Sequence, residues 1–233
     1  MKKLLIFLCF YVPLGVFCQS RGLVDSVNYA IAPRYVFEAD TVAGTYHKFN
    51  LIAEAGIVRG RGKMLVVVAG NADSSVELNK VFVLSRNNDG LVIVDSSAAF
   101  TVGELGPRVD VKGSKILVTH DFEKGLNRLT YVYDNDLSRF MLQKLYYSNV
   151  VPGYGEDDHA VSMVQEYSVA AQVLSIKSSF RNFTTGKVDK IKKKAISQKI
   201  PAGTSLSLRK MSDPYDYDVF LTEGTLYDQM VKY

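Results

Sequence analysis

The sequence predicts an all-β protein made of antiparallel sheets, and three observations point to that fold class. Short apolar runs recur along the chain, separated by clusters of glycine, proline, asparagine and aspartate. One pair of runs flanks an Asp-Gly turn, which is a strong hairpin signal because glycine accepts the positive φ angle required there. Helix signals are few, and the best of them lie at 24–31 and in the last eight residues.

The first strands are marked by apolar runs between turns. The run MLVVVAG, 64–70, lacks polar alternation, which is typical of a strand buried on both faces. The runs KVFVLSR, 80–86, and LVIVDSS, 91–97, follow, and the NNDG turn between them predicts a hairpin. Comparable runs open at Lys63 and Lys115, roughly 50 residues apart, near the repeat period of β-propellers. Two arrangements are therefore open, a β-propeller-like one and a sandwich-like meander.

The segment LTYVYDNDLSRFMLQKL, 129–145, predicts an aromatic β-hairpin. Alternate residues Leu129, Tyr131 and Tyr133 share one face of the first strand, and Phe140 can meet them from the second. The central DND sequence is typical of a turn. As a calcium loop it lacks the third acid, the glycine and the final glutamate of an EF-hand, so a turn is favoured over a metal site.

Beyond the hairpin, the break VPGYGEDD at 151–158 precedes a long β-rich run, 159–183. The lysine-rich piece VDKIKKKAI, 188–196, alternates in apolar character and predicts an edge strand whose lysines face water, where they would oppose edge-to-edge aggregation. The predicted organisation is a lead-in at 19–44 and then a single all-β domain at 45–233, with a candidate sub-boundary at 151–158.

The N-terminal segment MKKLLIFLCFYVPLGVFCQS predicts a secretory signal peptide at 1–18. Two lysines supply the positive start, and Leu4–Phe17 form the apolar core. This core is shorter than the about 20 apolar residues of a transmembrane helix. Cleavage is expected after Cys18 or Ser20, and lipoprotein anchoring at Cys18 is the alternative. We therefore expect an exported protein, periplasmic or secreted, without a transmembrane segment after cleavage.

Export has consequences for cysteine chemistry and for charge. Both cysteines, Cys9 and Cys18, lie in the leader, so cleavage leaves a chain without thiols. That excludes disulfides, cysteine nucleophiles and thiolate metal sites. The leader also carries two of the 28 basic residues, so the net charge falls from +4 to +2 on cleavage. A nearly neutral chain gives no general case for nucleic acid as a partner.

Catalytic motifs are missing from the sequence. The three histidines, His47, His120 and His159, show no metal-binding spacing, and there is no G-x-S-x-G elbow or P-loop. We therefore predict no catalytic, metal-binding or cofactor-binding residues and no cofactor. A hydrolase triad assembled from distant residues stays open, because spatial proximity is invisible in a sequence.

The most site-like segment is the flexible loop GYGEDDH. Three carboxylates, a tyrosine and a histidine in one loop can bind a cation or a sugar, although solvated loop residues look the same. The candidate ligand residues are Tyr154, Glu156, Asp157, Asp158 and His159.

The chain also contains 14 tyrosines and no tryptophan. Tyrosine suits carbohydrate stacking or protein contact, but it suits half-buried sheet positions equally well. Without tryptophan the carbohydrate interpretation loses its usual anchor, so packing is favoured. The residues concerned are Tyr131, Tyr133, Tyr146, Tyr147 and Tyr154.

Two resemblances to known families are visible. The segment GRGKMLVVVAGN followed by KVFVLSRNNDG is distantly similar to the FG-GAP repeat of integrin-type propellers, whose loop aspartates bind calcium. The matching loop here reads RGRGK, 59–63, so the calcium ligands are absent. The aromatic hairpin and the later NFTTGK turn, 182–187, resemble a pattern in bacterial exported β-proteins of unknown function. That resemblance implies export and β structure, and it implies no activity.

We therefore expect a non-enzymatic exported β-domain that binds a protein or an envelope polysaccharide. The alternative is a periplasmic or secreted hydrolase whose site is assembled only in the fold. A hydrolase should hold His120 or His159 within hydrogen-bond reach of an acid and a hydroxyl in a deep pocket. A binding module should present a shallow exposed face instead.

Overall fold

The computed structural model describes residues 23, 25–36, 52–58, 62–71, 78–101, 108–151, 159–211 and 214–233. These residues form two antiparallel sheets with few short helices, which confirms the predicted all-β fold class. The predicted signal peptide at 1–18 lies outside the described residues, as does much of the lead-in at 19–44.

The first sheet has six strands, in the order β1-β3-β4-β5, with β2 also pairing β3 and β6 also pairing β4. Its third strand is buried on both faces, as its continuous apolar run predicts. Val66 and Val68 of β3 join the main core, whereas Val67 and Ala69 face a smaller cluster on the other side. The strands are β1 (Tyr35–Val36), β2 (Ile52–Val58), β3 (Gly62–Asn71), β4 (Leu78–Asn87), β5 (Gly90–Ser96) and β6 (Phe100–Thr101).

A helix from the lead-in covers the far side of this sheet. Residues 25–31 are helical and form α1, which confirms the first of the two helix predictions. Val27 and Ile31 pack from this helix against the sheet, where Phe82 and Leu84 are buried in the same cluster.

The second sheet is a meander of seven strands that follow one another in chain order. One of its faces, here called the inner face, carries the buried Val118, Leu129, Leu145 and Tyr167. The opposite side is called the outer face. The strands are β7 (Arg108–Lys112), β8 (Lys115–Phe122), β9 (Gly125–Asp134), β10 (Arg139–Val151), β11 (His159–Ser168), β12 (Val173–Asn182) and β13 (Val188–Ser197).

The predicted aromatic hairpin is confirmed as β9 and β10. Tyr133 lies opposite Phe140 with ring centroids 5.2 Å apart, in an edge-to-face contact. The carboxylate of Asp134 accepts hydrogen bonds from the backbone N–H groups of Asp136 and Leu137, both at 3.0 Å. The polar centre of the hairpin is therefore a turn, as its residues indicate.

Two separate pieces cover the inner face of the seven-stranded sheet. The six-stranded sheet contributes Met64 and Val83 to the shared core, so the two sheets pack as in the sandwich-like arrangement. The C-terminal segment, 198–233, contributes Tyr217 and Met230. It contains two short 3-10 helices (Leu208–Lys210 and Pro214–Tyr217) and α2 (Thr225–Val231), which confirms the second helix prediction.

A buried carboxylate joins these three pieces. The side chain of Asp95, in β5, is fully buried and pairs with the guanidinium of Arg209 at 2.8 Å. It also accepts a hydrogen bond from the backbone N–H of Phe140 in β10, at 2.7 Å. One side chain thus links the first sheet, the second sheet and the C-terminal segment.

Polar side chains of the inner face hold the C-terminal segment in place. The buried amide of Gln165 accepts a hydrogen bond from the Leu221 N–H at 2.7 Å and donates one to the Leu221 carbonyl at 2.9 Å. The hydroxyl of Tyr167 donates to the carbonyl of Gln198 at 2.8 Å. These bonds satisfy polar groups that would otherwise be buried without partners.

The lysine-rich strand β13 confirms one part of its prediction and corrects another. It is the last strand of the sheet as described, so it is an edge strand. Lys190 and Lys192 nevertheless lie on the inner face and are only partly exposed, and Lys192 donates to the carbonyls of Gln229 and Lys232 at the end of α2. Burial lowers the pKa of Lys192, and the nearby charge of Lys190 lowers it further. The prediction that the lysines face water is confirmed for Lys193 and Lys194, which are exposed, and is wrong for Lys190 and Lys192, because the residues that α2 brings are distant in sequence.

We expect Asp95→Ala to lower the free energy of unfolding by about 2–4 kcal/mol, because it leaves a buried N–H without an acceptor and removes a partly buried ion pair. Urea denaturation measures the change. The matched control is Asp110→Ala, which removes an exposed carboxylate 3.4 Å from Arg108. That loss should stay below about 1 kcal/mol. Equal losses of stability in the two variants would contradict the role of Asp95 in joining the two sheets and the C-terminal segment.

We expect the protein to lose stability as the pH rises above 10, because burial raises the pKa of the Tyr131 hydroxyl well above its ordinary value of 10.0 and nearby Tyr217 raises it further. The unfolded chain releases this proton near pH 10 while the folded chain retains it, so deprotonation favours unfolding. Thermal denaturation between pH 8 and 11 should show a shallower decline for Tyr131→Phe. The exposed Tyr29→Phe should leave the decline unchanged, and identical profiles would refute the assignment.

Candidate functional site

The predicted ligand loop is described only at its last residue. Tyr154, Glu156, Asp157 and Asp158 lie outside the described residues, so their role stays a prediction. His159 is the first residue of β11. It therefore stands at the point where the loop enters the seven-stranded sheet.

His159 is held between a carboxylate and an aromatic ring. Its Nε2 lies 3.1 Å from the carboxylate of Asp189, and its ring stacks on Tyr233 with centroids 4.2 Å apart. The same tyrosine ring lies under the ammonium of Lys190 at 4.6 Å and contacts Phe180 edge-on. Only 12% of the His159 side chain is exposed. The histidine is thus part of a packed cluster at one end of the sheet.

This His-Asp pair has one of the two contacts that a hydrolase needs. A catalytic histidine takes a proton from a nucleophilic hydroxyl with the nitrogen that does not face the acid. Among the described residues, the other nitrogen of His159, Nδ1, is buried and has no hydrogen-bond partner. His120 lies elsewhere, on β8 opposite Asn127. No group of three histidine, cysteine or acidic residues in the described part of the chain has the geometry to hold a metal ion.

Most of the candidate tyrosines serve packing. Tyr131, Tyr133 and Tyr147 are buried in the main core, as the packing interpretation predicts. Tyr146 is half-buried on the outer face, where the guanidinium of Arg128 lies 5.9 Å from its ring centroid. Tyr154 lies outside the described residues.

The outer face of the seven-stranded sheet carries an open concavity, which we call the outer-face trough. It consists of two adjoining shallow depressions that share Glu166 and Ser175, with volumes of about 460 and 490 Å³. One is lined by Val164, Glu166, Ser175, Ile176, Lys177, Lys193, Lys194 and Ala195. The other is lined by Gln143, Lys144, Glu166, Ser168, Ala170, Ala171, Val173 and Ser175.

The trough follows from the alternation of side chains along β11 to β13. Leu174 and Ile176 of β12 are buried on the inner face, so Ser175 and Lys177, which alternate with them, point outward. Small residues such as Ser175 and Ala195 leave a low floor, and long charged side chains rise around it. A bulge at Gln143 interrupts the pairing of β9 and β10 and adds that side chain to the rim.

Three lysines and one glutamate supply the charges of the trough. Lys144 forms an ion pair with Glu166 at 2.5 Å, and both side chains are 42% exposed. Lys177 and Lys193 lie directly opposite each other on β12 and β13, whereas Lys194 lies opposite the buried Ile176 and therefore on the inner face. The trough is therefore positively charged overall, and its floor offers the hydroxyls of Ser168 and Ser175 as hydrogen-bonding groups.

The sequence analysis did not predict this site, although the sequence contains part of the pattern that forms it. The alternation of polar and apolar residues in VLSIKSSF indicates which residues of β12 share a face. It does not show which residues of β10, β11 and β13 lie beside them, because that depends on the register of four strands.

Comparisons with known proteins give no match: no family model, curated protein or solved structure matches the chain. The two resemblances noted in the sequence stay predictions. In the part of the chain that the structure describes, no helix has the length and apolar character to cross a membrane.

Proposed function

We propose that this chain is an exported, non-enzymatic binding protein whose outer-face trough holds an extended polysaccharide of the cell envelope. The observation that carries the proposal is the trough itself, an open depression across β10, β11, β12 and β13 that is lined by charged and small side chains. Neighbouring strands lie about 4.8 Å apart, so the trough spans about 14 Å. That shape suits a ligand that lies along the surface.

The lining favours a sugar chain over a folded protein partner. Protein interfaces are enriched at their centre in tyrosine, tryptophan, phenylalanine and methionine, and depleted in lysine, glutamate, serine and alanine. The trough is built largely from the depleted types, and because none of its lining residues is aromatic it would hold a sugar chain by hydrogen bonds and charge rather than by stacking. Serine hydroxyls and charged side chains instead match the dense hydrogen-bonding groups of a polysaccharide.

The hydrolase alternative has one supporting observation, the pair formed by His159 and Asp189 at 3.1 Å. Its site would need a nucleophilic hydroxyl on the opposite nitrogen and a pocket that admits substrate. The described residues place His159 against Tyr233 in a packed cluster instead. The binding function therefore has the stronger support.

The proposed function includes export of the chain from the cytoplasm. The leader at 1–18 would direct the chain to the periplasm or the cell exterior, where an envelope polysaccharide is accessible. The kinship with exported β-proteins rests on the aromatic hairpin and the turn at 182–187. In the structure Asn182 organises that turn, because its side-chain oxygen accepts hydrogen bonds from the N–H groups of Thr184 and Thr185 at 2.9 Å.

We expect the exported product to begin at Gln19 or Arg21 and to contain no thiol, because both cysteines leave with the leader. Intact-mass measurement after expression in a secreting host gives the N-terminus. Retention of the first 18 residues, or a lipid on Cys18, would contradict simple cleavage.

We expect Ser175→Trp to abolish binding to an envelope polysaccharide preparation, because Ser175 lines both depressions and a bulky ring there obstructs them. Exposed strand positions accept aromatic residues, so the fold should be retained. Binding is measured by biolayer interferometry and folding by circular dichroism. The control is Ser162→Trp, an exposed position on the same face of β11 that does not line the trough. If Ser175→Trp binds as well as the wild type, the trough is not the site.

A further inference from the structure

We propose that the ligand of the outer-face trough is an acidic polysaccharide, an inference that rests on the proposed function and names the chemical class of its ligand. The feature that carries it is a pair of lysines, Lys177 and Lys193, that face each other across β12 and β13. Both are exposed, and both line the trough.

The two lysines are placed unfavourably for the fold alone. Like charges that lie directly opposite in an antiparallel pair repel each other and destabilise the sheet. Among the described residues, neither Lys177 nor Lys193 has an ion-pair partner, whereas Lys144 in the same trough is paired with Glu166. An anion that lies between the two ammonium groups would turn this repulsion into attraction.

Two other lysines of β13, Lys190 and Lys192, have structural roles that Lys177 and Lys193 lack. Lys192 donates to two carbonyls at the end of α2, and Lys190 lies over the ring of Tyr233. Lys193 points to the opposite side of the strand, toward the trough. Lys190 and Lys192 of β13 therefore contact the C-terminal segment, whereas Lys193 adds a positive charge to the outer face.

The types of residue present indicate a chain of spaced anionic groups. Lysine acts as a point charge, unlike arginine, which grips one anion with a planar fork. Lys177 and Lys193 carry two such charges in one depression, and Glu166 is the single carboxylate that lines it. Lysine-rich patches of this kind attract polyanions such as heparin-like sugars.

The trough is less suited to nucleic acid. Proteins that hold single strands stack the bases on aromatic side chains. Tyr146, an aromatic residue on the same face, lies under the guanidinium of Arg128 and does not line the trough. Positive charge without stacking surfaces matches an acidic sugar chain.

The test measures binding of the purified protein to polygalacturonate, an acidic polysaccharide, and to dextran, a neutral one. We expect binding to polygalacturonate only, with an affinity that falls as the salt concentration rises, because exposed charges are screened. The double variant Lys177→Ala/Lys193→Ala should bind about tenfold more weakly, the effect of losing two exposed ion pairs.

A matched control is available in another hairpin. Lys112 and Lys115 also lie directly opposite each other, on β7 and β8, away from the trough. The variant Lys112→Ala/Lys115→Ala removes the same charge and should leave binding unchanged. The melting temperature of the Lys177→Ala/Lys193→Ala variant should be equal to or higher than that of the wild type, since a repulsive contact is removed. A loss of binding accompanied by a loss of stability would assign the lysines to the fold and overturn the proposal.

The remaining outcomes separate this inference from the function on which it depends. Equal binding of dextran and polygalacturonate, blocked by Ser175→Trp but insensitive to the lysine variant, would overturn the acidic ligand and leave the polysaccharide function standing. Equal binding of poly-L-glutamate would show that the trough accepts any polyanion, which overturns the polysaccharide assignment itself. Binding of neither polysaccharide would overturn both.

Discussion

The inner face of the seven-stranded sheet must be covered along its whole width, and the rest of the structure follows from that constraint. Seven strands at about 4.8 Å spacing give a face about 29 Å wide, and its apolar residues cannot stay in water. The six-stranded sheet covers one part and the C-terminal segment covers the other. Asp95 lies where these three pieces meet and hydrogen-bonds to each of the other two.

Covering one face determines where a ligand can bind. Strand residues alternate between faces, so each apolar side chain committed to the core sends its neighbours outward. In β12 this alternation gives a buried row that includes Leu174 and Ile176 and an exposed row that includes Ser175 and Lys177. The fold and the trough are thus two results of one pattern, and the chemistry of the outward row decides which ligand fits.

Local features of the fold could be predicted, and long-range ones could not. The apolar run at 64–70, the NNDG turn and the aromatic hairpin were readable because each depends on residues close in sequence. The hydrogen bond between Asp95 and Phe140 joins residues 45 positions apart, and no local sequence pattern predicts it. The trough was missed for the same reason, since its residues come from four strands. The loop that includes Glu156 stays a prediction, since the structure describes only its end at His159.

The placement of Lys192 has a consequence for how the molecule opens. The last carbonyls of a helix have no partners within it, and in α2 the ammonium group of Lys192 supplies one for Gln229 and another for Lys232. The outermost strand, β13, and the last helix, α2, therefore depend on each other. If either one detaches, polar groups of the other lose their hydrogen-bond partners. Such mutual dependence makes the two elements one cooperative unit, whose amide protons should exchange with solvent together. The edge of the seven-stranded sheet at β13 is thus also a contact between two parts of the molecule.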